Sequence, residues 1–308
     1  MPNLKDIKDR INSITSTKKI TKAMKMVAAA KVKKSENAVK ASRPFTRELA
    51  NMFIRLTQNV GEYSVETIKV TRGIDNYPKL LKNRLKDTAG ILVITSNKGL
   101  AGAYNANVVR YTLKLVEEYN KKGIKSKLYV LGQRGYNALK NQTSRYGFEI
   151  VKFYSEFPSE FTATSATILA EDMAQDLVDD VIDTMEIVTT RFRNMMSYST
   201  ERWQILPVEL EAEEHNEEHK LDPLMTFDSD EHSILQQIVP YYISNIIYQA
   251  LLEASASELA SRMTAMSAAT NSADDMIKLL TVDYNKARQA AITNEISEVV
   301  SGADALKG

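Results

Sequence analysis

"LEASASELASRMTAMSAATNSADDMIKLLTVDYNKARQAA" (residues 252–291) carries a regular apolar seam. Leu252, Ala256, Leu259, Met263, Met266, Thr270, Ala273, Ile277, Leu280, Tyr284, Ala287 and Ala291 follow one another at spacings that alternate strictly between four and three. A heptad held this long imposes a left-handed supercoil on a partner helix. Neither glycine nor proline interrupts residues 241–301. A helix over that span is about 90 Å long at 1.5 Å per residue, more than a compact domain needs. Past the seam, Ile292, Ile296, Val299 and Val300 stay apolar although chain ends are usually polar. The end of this helix therefore needs a cover.

The partner of the seam is expected in the same chain. Leu4, Ile7, Ile11 and Ile14 are spaced three, four and three; the pattern then slips, resuming at Ile20, Met24 and Val27 and later at Phe45, Leu49, Leu56 and Val60. Residues 3–60 hold no glycine and one proline, Pro44. Small seam residues such as Ala256, Ala273 and Ala287 let two helices approach closely. These patterns predict an intramolecular antiparallel coiled coil of the N- and C-terminal helices, projecting from a core. Two amphipathic helices laid over one globular core are the plainer alternative.

The middle reads as α/β. "GILVIT" (90–95), "KLYVL" (127–131) and "FEIVKFY" (148–154) are strands, and "MEIVTTRF" and "WQILPVEL" are two more. Between them fall a helix over about 104–121, one after "GQRG", and one capped by Thr162 or Thr164 that runs to about 184. Alternation of this kind predicts an open, mostly parallel sheet. The expected organisation is an N-terminal helix over 1–60, an α/β domain over 75–210, an acidic loop over 211–230 and a C-terminal helix over 231–308.

The 308 residues are enough for a substantial core, and the net charge of +1 hides an uneven spread. No acid lies between Asp9 and Glu36, a stretch that holds Lys18, Lys19, Lys22, Lys25, Lys31, Lys33 and Lys34, whereas Glu209, Glu211, Glu213, Glu214, Glu217, Glu218 and Asp222 make the opposite cluster. There is no cysteine, which removes disulfides, thiolate metal sites and a cysteine nucleophile. The N-terminus has no apolar signal segment, and no run approaches the roughly 18 apolar residues that span a bilayer. Any membrane association is expected through a partner.

Three motifs invite chemistry. "SNKGLAGAYN" (96–105) follows a strand, but it matches neither glycine-rich phosphate pattern, and a tight strand-to-helix turn explains Gly99 and Gly102. "HNEEH" (215–219) has the spacing of an inverted zinc-peptidase signature, with Glu218 as the base. It sits in an acidic loop with nothing apolar to form a dry site, and His232 lies too far along to help. The lysine-rich first helix could hold phosphates, yet the first aromatic residue is Phe45, so residues 1–44 offer no base-stacking platform. Neither catalytic residues nor a cofactor is assigned, and no nucleic acid is expected as a partner.

"ITNEISEVVSGA" (292–303) resembles the C-terminal signature of the γ subunit family of F-type ATP synthase: an aliphatic, Thr, any residue, Glu, two residues, an acid, three residues, then Gly-Ala. "SRMTAMSAATNSADDMIKLLTVDYNKARQAAIT" (261–293) is similar to the family's terminal helix and "IKDRINSITSTKKITKAMKMVAAAKVKK" (7–34) to its first. "SNKGLAGAYN" is similar to its strand-turn segment, with Asn97 and Ala101 where an acid and a cysteine are common. The resemblance covers essentially the whole chain. It implies a central rotor shaft that couples proton flow in the membrane sector to ATP synthesis or hydrolysis at the β subunits. The chain itself would be non-catalytic.

The implied partners are the α and β subunits of the catalytic ring, the ε subunit and the c-ring, with no direct insertion into the membrane. The terminal helix would end in a sleeve lined by the ring, which answers the need for a cover. Lys22 and Lys25, with Met24 beside them, would face acidic loops of the β subunits. Arg288, Gln289, Thr293, Glu295 and Glu298 would lie at contacts higher up. Without a transit peptide, the expected location is peripheral, on the cytoplasmic side of a bacterial cell membrane. A free-standing coiled-coil adaptor with a small-molecule-binding α/β domain is the rival from another class.

Overall fold

The computed structural model describes residues 4–59, 80–81, 85–155, 161–206 and 231–305; the side chains of 53–59, 231–233 and 304–305 are outside that description. In chain order the elements are α1 (Leu4–Asn59), β1 (Thr88–Ile94), α2 (Tyr104–Lys121), β2 (Lys125–Leu131), α3 (Gln133–Leu139) and α4 (Thr143–Tyr146). They are followed by β3 (Phe148–Tyr154), α5 (Ala163–Val178), β4 (Thr184–Asn194), β5 (Ser197–Leu206) and α6 (Glu231–Ala305). The chain divides into two compact units, residues 1–30 with 262–308 and residues 31–261. Helices α1 and α6 contribute to both.

The larger unit is built on a five-stranded sheet of order β3-β2-β1-β4-β5. β1 pairs in parallel with β2 and β4, and β2 with β3, while β5 returns antiparallel on β4. The mostly parallel sheet expected from the alternation of elements is therefore present, with one antiparallel edge. β4 and β5 are joined by the two-residue turn Met195–Met196, where the Met196 N–H donates to Asn194 Oδ1 at 2.9 Å. The last strand begins at Ser197, six residues before the tryptophan that opens "WQILPVEL". Polar Ser197, Ser199, Thr200 and Glu201 hide that start from a reading based on apolar runs.

Side chains alternate across the sheet. Ala89, Ile91 and Val93 of β1 pack with Tyr104, Val108, Leu115 and Val116 of α2. Leu92 and Ile94 face the other way, onto Leu169, Ala170 and Met173 of α5 and onto Leu235, Val239, Ile243, Ile247 and Leu251 of α6. The result is three layers with the sheet in the middle. Thr162 caps α5, accepting a hydrogen bond from the Ser165 N–H at 3.2 Å. That helix stops at Val178 instead of running to 184, because Asp180 takes a left-handed φ of 57°. Consecutive acids Asp179 and Asp180 are unfavourable at the negative end of a helix dipole.

Both terminal helices contain a proline. α1 runs through Pro44, as its lack of other breakers suggested, and α6 begins nine residues before Pro240. An interior proline costs about 3 kcal/mol. Burial of Leu235 and Val239 in the core offsets that cost for α6.

Candidate partner-contact surface

In the smaller unit the seam of α6 is visible as burial. Its nine seam residues there, Met263 to Ala291, are buried or half-buried, as are Leu252, Ala256 and Leu259 in the larger unit, and the positions between them are progressively exposed towards Ala291. The α1 side is more regular than its apolar residues suggest. Its sheltered positions run Leu4, Ile7, Ile11, Ile14, Lys18, Thr21 and Ala28, which keeps the three-four alternation without a slip; only Lys25 among the expected positions is exposed. The seam turns polar in its middle. Thr21 Oγ1 lies 2.9 Å from Thr270 Oγ1, and Lys18 pairs with Asp274. Ile7 faces Leu280 and Ala287, so lower numbers on α1 meet higher numbers on α6 and the pair is antiparallel.

The apparent resumption at Ile20, Met24 and Val27 is corrected by this register. These three side chains are 56%, 38% and 58% exposed and lie off the seam. They form an outward apolar strip beside Lys22 and Lys25, which are also exposed. Phe45, likewise expected on an inner face, is exposed, while Leu49 is buried. Sequence reasoning missed Lys18 and Thr21 as seam members. A heptad count that admitted polar residues would have found them.

Towards its C-terminus α6 continues past the seam. Every described side chain from Ile292 to Ala303 is exposed, including Ile296, Val299 and Val300. Arg288, Gln289, Thr293, Glu295 and Glu298 are exposed as well, and the Thr293 hydroxyl donates back to Gln289 O at 2.9 Å. Within the smaller unit the structure thus presents two uncovered apolar surfaces, one flanked by lysines and one on a bare helix end.

The glycine-rich turn after β1 is occupied with its own fold. Asn105 Oδ1 accepts from the Ser96 N–H at 3.0 Å, and Asn97 Oδ1 accepts from the Gln133 N–H at 3.0 Å. Gly132, at φ 98°, passes so close to Thr95 that a Cβ there would meet Thr95 O at 2.3 Å. The carbonyl of Ala101 accepts from Ser261 Oγ of α6 at 2.7 Å, and Ser261 also meets the Tyr198 hydroxyl at 3.2 Å. Ligands of doubly wound sheets sit in the crevice beyond the carboxyl ends of the strands, where the strand order reverses. Here that crevice, between β1 and β4, is filled by α6. "HNEEH" lies outside the described residues.

The family model described as ATP synthase matches residues 3–306. A γ chain of ATP synthase from Synechococcus sp. (strain PCC 6716) is 38% identical, with 100% of both chains covered. The chain belongs to the ATP synthase γ chain family.

Two solved structures share its fold. One is the Euglena gracilis mitochondrial ATP synthase, at a TM-score of 0.61 and 16% identity over 98% of this chain and 94% of that one. The other, solved as the central stalk and c-ring of the Tetrahymena thermophila mitochondrial ATP synthase, gives 0.56 and 22% over 81% and 99%. At these identities the likeness to both is one of fold.

Proposed function

We propose that the chain is the rotating central shaft of F-type ATP synthase, a non-catalytic subunit that couples proton flow through the membrane sector to ATP synthesis or hydrolysis at the β subunits. The observation that carries this is an antiparallel helix pair with an uncovered apolar tip, in a chain that matches the γ family from end to end. A shaft does its work by contacting different states of the catalytic sites differently, which is how a ligand or subunit shifts an equilibrium. Its partners are the α and β subunits, the ε subunit and the c-ring. No helix among the described residues is long and apolar enough to cross a membrane. Attachment to the membrane therefore runs through the complex, and we assign it to the cytoplasmic side of a bacterial cell membrane.

Within this reading Lys22 and Lys25 meet acidic loops of the β subunits, with Met24 supplying apolar contact between them. Arg288, Gln289, Thr293, Glu295 and Glu298 meet the ring higher up, and Ile296, Val299 and Val300 turn inside its sleeve. Their exposure and their position in matching motifs support these roles. The filled crevice above the sheet speaks against the free-standing adaptor with a small-molecule site.

Co-expression with the α and β subunits tests the reading. The chain should purify at one copy per ring of three α and three β subunits; recovery of the chain alone would sink it. Replacing Lys22 and Lys25 together by Glu should lower proton pumping per ATP hydrolysed in membrane vesicles while the melting of the isolated chain stays put. Both side chains are exposed, so the fold has little to lose. Unchanged pumping at low salt would remove the lysines from the contact.

A further inference from the structure

Within the larger unit, β4 outruns its parallel neighbour. β1 pairs with β4 only over Thr184–Val188, yet β4 continues to Asn194. The backbone groups on that side of residues 189–194 have no strand to meet, and at Phe192 two helices supply the partners instead. Glu253 of α6, 1% exposed, accepts from the Phe192 N–H at 2.7 Å through Oε2. Arg43 of α1 donates to Phe192 O at 2.5 Å. The same guanidinium donates to both carboxylate oxygens of Glu253, at 2.8 and 2.9 Å, and Gln249 Nε2 donates to Oε1 at 2.9 Å. An acceptor from one helix and a donor from the other thus stand in for a missing strand residue at Phe192.

The two helices depend on this site unequally. α6 is fixed to the sheet by a long apolar face from Leu235 to Ala254. Among the described side chains α1 has less: in residues 31–52 those that are buried and apolar are Val32, Val39 and Leu49. The first two meet Phe192, Leu252, Ala256 and Ala260 around the ion pair. Arg43 therefore ties α1 both to α6 and to the sheet backbone. The bidentate geometry matters, because a planar fork resists rotation of one helix about the other in a way that apolar packing does not.

We propose that the Arg43–Glu253 pair is the joint that makes α1 turn with the sheet domain, so that torque reaches both helices and not α6 alone. This rests on the shaft reading. Arg43 is in this sense a positioning residue: it touches no catalytic site and acts through the helices it locks.

The test uses the whole complex reconstituted in vesicles. Arg43→Lys keeps a cation beside the buried carboxylate but cannot hold both carboxylate oxygens and Phe192 O at once. Glu253→Gln keeps an acceptor for the Phe192 N–H and loses the ion pair. In each, ATP hydrolysis per assembled complex should hold, while protons pumped per ATP fall roughly twofold to thirtyfold, the range that substitutions on a coupling path produce. The chain has no cysteine, so a cross-link can be placed cleanly. Thr46 Oγ1 lies 2.6 Å from Asn245 Oδ1, about one turn along α1 and about two along α6 from the pair. Adding Thr46→Cys and Asn245→Cys to Arg43→Lys, then joining them with a short thiol-reactive linker, should restore pumping by refastening α1 to α6. Hydrolysis and pumping that fall in parallel, or pumping that the linker does not restore, would overturn the joint. If the unaltered chain neither enters the ring nor supports pumping, the shaft reading itself fails, and that result is distinct from either.

Discussion

Helix α6 is one continuous element that lives in two settings. From Tyr242 to Ser261, inside the larger unit, no residue is exposed, and apart from Asn245, Gln249, Glu253 and Glu258 the sequence there is apolar, aromatic or small. From Ala273 onward, inside the smaller unit, shelter narrows to the seam and to Asp274 and Ala290, and past Ala291 it ends. A helix apolar all round is one that a core surrounds; a helix with a single stripe is one that meets a single partner. The same contrast runs through the polar groups. Glu253 in the larger unit is 1% exposed although its partner Arg43 is 41% exposed, while in the smaller unit both members of the Lys18–Asp274 pair are more than a third exposed. A pair as exposed as that contributes little to stability.

The sharpest break of this comparison is a pair of truncations on the one helix. Leu251→Ala, at a fully buried position against the sheet, should cost about 2–5 kcal/mol in a denaturant melt. Leu280→Ala, at a half-buried seam position, should cost well under half of that. Equal losses would mean that the seam is packed as tightly as the core.

Alkaline pH separates the units next. Tyr104, Tyr119, Tyr129 and Tyr154 all lie in the larger unit, and burial raises each hydroxyl above its ordinary pKa, with Glu186, Asp176 and Asp172 adding to the shift for the last three. A tyrosine raised in this way stabilises the fold fully below its ordinary pKa of about 10 and loses that contribution as pH rises further. Above that pH the sheet unit should open first, seen as loss of near-ultraviolet tyrosine and tryptophan signal. Much of the helical signal should remain. Simultaneous loss of both would show that the helix pair has no stability of its own.

The smallest effect on the free chain is expected from removing residues 293–308. Ile296, Val299 and Val300 are 58%, 71% and 53% exposed, so their loss should leave the melting of the isolated subunit almost unchanged. The assembled complex should instead lose stability or ATP-driven torque. A large drop in the free chain beside a normal complex would assign the tip to the helix pair and refute the sleeve.

Much of this was legible beforehand, where one physical rule dominated locally. The α6 seam shows because apolar residues recur at heptad spacing with no breaker; β1, β2 and β3 show as short apolar runs bounded by turn residues. The middle of the α1 seam was not legible. Lys18 and Thr21 are polar, and the neighbouring Ile20, Met24 and Val27 offered a better apolar pattern on the wrong face. Residues kept apolar for a partner subunit and residues kept apolar for the chain's own seam look alike in a sequence.

By itself, the sequence determined the helical ends, the heptad, the strand-helix alternation and the family, because each is written in periodicity or in short motifs whose meaning does not depend on distant residues. Only the tertiary structure decided which face of α1 the seam uses, that α6 fills the crevice above the sheet, and that Arg43 and Glu253 complete the edge of β4. Those are outcomes of competition between sites far apart in the chain. A fixed register outweighs local hydrophobicity, and a backbone left without a strand takes the donors and acceptors that packing brings to it.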